Sequence, residues 1–112
     1  MKTTKKDFEE FKAEFNRMVE LLGLKSWNVF FKCTKLNDGV AANIDYDTDS
    51  RCAEVSLNTI KYVVDLKRSA KHEAFHLLLA DLYESARDRF VDEKTLNKNE
   101  EAVIVALEKL DI

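Results

Sequence analysis

Residues 71–82 read KHEAFHLLLADL, and they hold both histidines of the chain, His72 and His76, with Glu73 between them. A spacing of four puts two side chains on one face of a helix, with β-carbons ~5–6 Å apart. Ala70, Ala74, Phe75, Leu77, Leu78, Leu79 and Leu82 flank the pair, which predicts a mostly buried helix. Two bare imidazoles and a carboxylate are unfavourable in such a helix unless they have partners. A metal ion is an economical partner, because two imidazoles one turn apart can converge on one zinc at ~2.0–2.1 Å each. Glu73 follows the first histidine directly, so its carboxylate can reach a water at the metal without being a ligand. It is then placed as a general base that takes a proton from that water and later passes it on. The competing readings are a solvated surface pair, a hydrogen-bonded core pair without metal, and a relic motif. The apolar flanks speak against the first.

Upstream, Thr4 to Leu22 reads as an amphipathic helix, with Phe8, Phe11, Phe15, Met18, Val19 and Leu22 at spacings of three and four. Thr4 suits its N-cap with Asp7 three residues on, and Gly23 followed by Leu24 suits a left-handed stop. The period then changes. Trp27 to Leu36, Val40 to Tyr46 and Arg51 to Leu57 read as strands, with Ala53, Val55 and Leu57 on one face. Asn37-Asp38-Gly39 marks a turn. Short loops between the three strands predict an antiparallel meander. Helical period returns over Ile60 to Arg87, and the absence of Gly or Pro there favours one long helix over two. Phe90 to Lys98 reads as a polar connection and Asn99 to Leu110 as a closing helix. The fold class is α+β: an N-terminal helix, a mainly antiparallel three-stranded sheet, a long motif-bearing helix and a C-terminal helix.

The whole chain, 112 residues, has the size of one domain, 1–112. Its 46% apolar and 35% charged residues mark a globular chain, and seven Phe supply bulky core material. A net charge of −3 argues against nucleic-acid binding by bulk electrostatics. No apolar run approaches a membrane span, and no apolar stretch follows the first lysines. The expected location is therefore the cytoplasm, with Cys33 and Cys52 reduced and buried on neighbouring strands.

A catalytic zinc site usually has three protein ligands and an open position. There is no third histidine, so a carboxylate is the expected third ligand. Glu84 lies about 12 Å along a continuous helix from His76, out of reach. The closing helix offers Glu100 and Glu101. Glu100 shares the inward stripe of Val103, Ile104, Leu107 and Leu110, and Glu101 shares a more exposed line with Val105 and Glu108. Periodicity favours Glu100, with Glu101 as the alternative and Asp92 or Glu93 behind them. Glu100 can equally be a first-turn residue complementing the helix dipole.

His72-Glu73-Ala74-Phe75-His76 followed by Asn99-Glu100 resembles the gluzincin-type zinc metallopeptidases, in which a His-Glu-x-x-His helix and a downstream helix glutamate hold the metal. Ala80 stands where SprT-like proteases have a histidine, and the glycine and third histidine of metzincins are missing. The order of elements resembles the minimal single-domain zincin-like proteins often encoded by phages and prophages. The resemblance implies a zincin-like fold, a zinc cofactor, a peptide or protein substrate and Glu73 as the catalytic base. It also implies that the strand near Ala53 to Leu57 borders the cleft, where an extended peptide could add to its edge. The family's transition-state stabiliser has no matching position here; Tyr83 is the first candidate, with Tyr46 and Arg87. A non-catalytic zinc-binding or interaction module, such as a phage accessory protein, is the alternative reading.

Overall fold

The structure is a computed structural model that describes residues 1–89 and 92–112. Helix α1 spans Lys5–Leu22, strands β1, β2 and β3 span Asn28–Thr34, Ala42–Asp47 and Cys52–Asn58, and helices α2, α3 and α4 span Leu66–Leu78, Ala80–Arg87 and Glu93–Glu108. The class is α+β, as the periodicities predict. Local signals set the ends of α1. Thr4 Oγ1 accepts from the Asp7 amide at 3.1 Å and the Thr4 amide donates to Asp7 Oδ2 at 2.9 Å, a complete capping box. Gly23 closes the helix with φ 69°, a left-handed conformation that glycine adopts without strain, and the Leu24 amide donates back to Val19 O at 2.9 Å.

The sheet is not the antiparallel meander expected from short loops. Its order is β1-β3-β2, with β1 parallel to β3 and β2 antiparallel to it. Residues 35–41 let the chain pass the width of one strand, ~4.8 Å per strand, and leave a gap between β1 and β2. The turn at Asn37-Asp38-Gly39 forms, with the Val40 amide donating to Asn37 O at 3.0 Å, but it does not set two strands side by side. Burial explains the order. In β3, Ala53, Val55, Ser56, Leu57 and Asn58 are all buried, whereas β1 and β2 alternate with exposed Lys32, Asp45 and Asp47. The most buried strand takes the centre, and the two half-exposed ones take the edges, with Glu54 the one exposed residue of β3.

One sheet face carries the core. Phe11, Phe15 and Met18 of α1 and Ala70, Ala74, Phe75 and Leu77 of α2 pack with Ala53, Val55 and Leu57 of β3. Phe15 meets Phe31 of β1 edge to face at 5.5 Å, a favoured aromatic geometry. Cys33 is exposed, contrary to expectation, and Cys52 is partly exposed. They face Leu57 and Asn28 in register, at opposite ends of the paired strands.

The long helix expected from Ile60 to Arg87 is shorter and divided. Residues 60–65 are not helical: Lys2 bridges Ile60, the Lys61 amide donates to Met1 O at 2.8 Å, and the chain bends at Val64. The β-branched Ile60, Val63 and Val64 are weak helix formers. Asp65 then caps α2, accepting from the Arg68 amide at 3.0 Å. At Leu79 the helix bends, with φ −92° and ψ 2°. Leu77, Leu79 and Ala80 all pack into the core, and no single helix face can present all three. Beyond the bend, Asp81 pairs with Arg51 at 2.8 Å. The closing helix starts earlier than Asn99, because Asp92 caps it by accepting from the Lys94 amide and the Thr95 hydroxyl. Phe90 and Val91, at the start of the expected polar connection, lie outside the described residues. Among the described residues, no helix is long and apolar enough to cross a membrane.

Glu14 is a buried carboxylate on α1 that binds Arg17 twice, at 2.9 and 2.8 Å, with the Lys71 ammonium 3.8 Å away. The Arg17 hydrogen bonds hold its carboxyl below the ordinary glutamate range despite burial. A depressed folded-state pKa means that the stabilisation is complete at neutral pH and fades as pH falls through that range. Glu14→Gln should therefore cost about 1 kcal/mol at pH 7, a value reduced because Arg17 is half exposed, and close to nothing at pH 3. Urea unfolding of both proteins at the two pH values checks this; an equal loss at both would show that charge plays no part.

Candidate metal centre

The motif sits on α2 as expected, and His72 and His76 stack edge to face with ring centroids 5.0 Å apart. Both rings are partly buried. Helix α4 runs back along them. Glu100 and Glu101 stand beside His76, and Glu108, two turns on, stands beside His72 one turn back along α2. Every ring nitrogen thereby meets a carboxylate. His72 Nδ1 lies 2.7 Å from Glu108 Oε1, and His76 Nδ1 lies 3.1 Å from Glu100 Oε1. On the other side, Glu101 reaches both rings, with Oε1 3.0 Å from His76 Nε2 and Oε2 3.5 Å from His72 Nε2.

An ionised carboxylate only accepts hydrogen bonds, so Glu108, hydrogen-bonded to His72 at 2.7 Å, favours the proton of that neutral ring on Nδ1, while His76 lies between Glu100 at Nδ1 and Glu101 at Nε2. Both Nε2 atoms face Glu101 oxygens. A nitrogen lone pair and an anionic carboxylate repel unless a proton or a metal cation lies between them. The donor set thus fits a metal ion: one ligand atom from each of His72, His76 and Glu101 lies within 4.8 Å of the others. Carboxylates on the far nitrogens are what orients metal-binding imidazoles and raises their basicity.

Among the described residues, the group that could hold an ion includes Glu101, the alternative offered by the sequence, and not Glu100, which periodicity favoured. Helical period reports burial, and Glu100 is indeed the more buried of the two. A ligand at the rim of a cleft must instead reach open space, and Glu101 is 48% exposed. The line Glu101, Val105, Glu108, read as exposed, is the one facing the histidines. Glu108 was missed for this reason. It is almost fully buried. Burial works to raise its pKa, but hydrogen bonds from His72 and Arg68 outweigh it and hold the carboxyl below its usual range.

Glu73 is buried, and its carboxyl is pushed up by burial, against the pull of the two neighbouring imidazoles. Together with His72 it lines a cleft of about 670 Å³. The cleft is walled by Val40, Ala41 and Ala42 where the chain enters β2, Val63–Asp65 from the segment before α2, and Val105 and Glu108 from α4. The strand that borders it is β2, not β3. β3 is paired on both sides and has no free edge. The Asn58 amide donates to Ala41 O at 2.9 Å, so Ala41 turns its polar groups towards β3. By the alternation of antiparallel pairs, those of Ala42 face the open edge beside the cleft.

Tyr83 is not in this cleft. Its hydroxyl bonds Asn97 of α4, and it lines a separate apolar cavity of about 160 Å³ with Leu79, Leu82 and Glu100. Tyr46 stacks on Trp27 at 6.0 Å; burial first, and then the charge of Glu100, push its hydroxyl up to about 12. Arg87 pairs with Glu84 at 2.9 Å. Comparison with family models, with curated proteins and with solved structures finds no match for the chain, so the site is read from its own geometry.

The two adjacent glutamates should separate cleanly in metal affinity. Glu101→Gln is expected to weaken divalent-metal binding by at least ~100-fold, and Glu100→Gln or Glu108→Gln by roughly 10–100-fold. Competition with a chromophoric chelator measures all three. A larger loss for Glu100→Gln than for Glu101→Gln would return the third position to Glu100.

Proposed function

We propose that this chain is a zinc-dependent metallopeptidase, a gluzincin-like hydrolase of peptide bonds. The observation that carries the reading is the convergence of His72, His76 and Glu101, with His72 and the neighbouring Glu73 lining an open cleft. Two imidazole nitrogens and one carboxylate oxygen are a ligand set used for catalytic zinc, which leaves a position for water and substrate. When bound, such an ion polarises a carbonyl and makes water acidic near neutral pH.

The rest of the chemistry belongs to the chain. Glu108 and Glu100 stand against the Nδ1 atoms of the two rings and orient them towards Glu101. Glu73 is the base. Its burial favours the protonated form, so the carboxylate is a better proton acceptor than an ordinary glutamate. It takes the proton of the attacking water and delivers it to the departing amine. The free edge of β2 at Ala42 gives an extended substrate a strand to pair with, and the cleft then holds the peptide beside Glu73.

Glu73→Gln keeps the size of the side chain and removes the base. It should retain metal at wild-type stoichiometry while hydrolysis of a casein or peptide-library substrate drops by roughly 100- to 10,000-fold. Metal analysis and a cleavage assay on the same preparation check both halves. If the wild type holds zinc yet cuts nothing in such libraries, the site is a non-catalytic zinc-binding module and the peptidase reading is lost.

A further inference from the structure

Helix α4 brings Glu100, Glu101 and Glu108 to the histidine pair, and with Val105 and Glu108 it forms one wall of the cleft. Its apolar anchorage is thin. Ile104 is its one buried residue among the described ones, and Leu107 adds a partly buried contact. Val103 and Val105 are 47% and 48% exposed. By contrast, α1 buries Phe11, Phe15 and Met18, and α2 buries five apolar residues from Leu66 to Leu77. A helix this short holds its shape in water chiefly through the packing of an apolar face. At the far end, one hydrogen bond from Arg17 Nη2 to Ile112 O, 3.1 Å, ties the tail to α1. At the near end the Tyr83 hydroxyl meets Asn97.

The charge at this contact is only partly balanced: Glu108 is offset by His72 and Arg68, whereas Glu100 and Glu101 face imidazole nitrogens. Glu73, Glu100, Glu101 and Glu108 bring four carboxylates together around two imidazoles. Among the described residues, Arg68, 3.1 Å from Glu108, is the guanidinium that meets this group. Like charges gathered across a helix–helix contact repel, and a divalent cation both offsets them and bonds α4 to α2 directly.

We infer that metal binding is what closes the C-terminal part of α4, from Glu100 onward, onto α2. This rests on the metal-site reading above. In the loaded chain α4 is docked, and the third ligand and one cleft wall are present. In the stripped chain this part of α4 leaves α2, pivoting near the Tyr83–Asn97 contact, while α1, α2 and the sheet keep their fold. Loading the metal and assembling the substrate cleft are then one event, and a chain without metal has no complete cleft to bind peptide.

The test is hydrogen–deuterium exchange on the purified full chain, stripped with a chelator or reloaded with zinc chloride, with native mass spectrometry counting metal on the same samples. The expected result is one zinc per reloaded chain. Stripping should lower amide protection over residues 100–108 by at least ~10-fold and over residues 11–18 and 53–57 by less than ~2-fold. One zinc bound with unchanged protection in α4 would overturn the inference and leave the metal site standing. A loss spread evenly over α1, β3 and α4 would also overturn it, because the metal would then hold the whole fold. No zinc on the reloaded chain would remove the metal reading and this inference together.

Discussion

The arrangement around His72 and His76 depends on a carboxylate at each Nδ1. Glu108 hydrogen-bonds His72 and Glu100 stands 3.1 Å from His76, so each ring has its Nδ1 against α4 and turns Nε2 towards Glu101. An imidazole with its far nitrogen free could present either face. Held this way, the rings and Glu101 form a group that could hold a cation. Much of the fold serves this pairing. The α1–α2–sheet core holds α2 rigid, and the bend at Leu79 leads the chain into α3 and on to an α4 that lies along the motif helix.

The same pairing explains the uneven character of α4. Its carboxylates are spent on the histidines and on Arg68, while its apolar residues are half exposed on either side of Ile104. The helix is positioned by polar contacts more than by burial. In α1 the balance is reversed: Phe11, Phe15 and Met18 anchor it, and the Glu14–Arg17 pair lies on its flank.

Legibility in the sequence follows the range of the interaction. The ends of α1 could be read because the signals are local: Thr4 with Asp7, and Gly23 with Leu24. The strands could be placed for the same reason, since alternation is a property of each segment. Their pairing could not, because which strand takes the centre depends on comparing the burial of all three. The histidine pair and Glu73 could be read from spacing. The choice between Glu101 and Glu100 could not, because adjacent helical residues differ by a rotation that only the docking of α4 resolves. The caps Asp65 and Asp92 were not read, because the apolar residues before the one and the polar residues after the other masked the true helix starts.

The strand order has a consequence for how the chain is made. β1 and β2 are not bonded to each other, and each waits for β3, the last strand to be synthesised. Until residue 58 has emerged, a nascent chain carries α1 and two unpaired strands with Phe31 and Ile44 uncovered. Pairing of non-local strands is slow, and open edges are the places where unfinished chains stick to one another. The insertion of β3 between its neighbours is thus the event that turns a growing polypeptide into a surface on which α2, and with it the histidine pair, can settle.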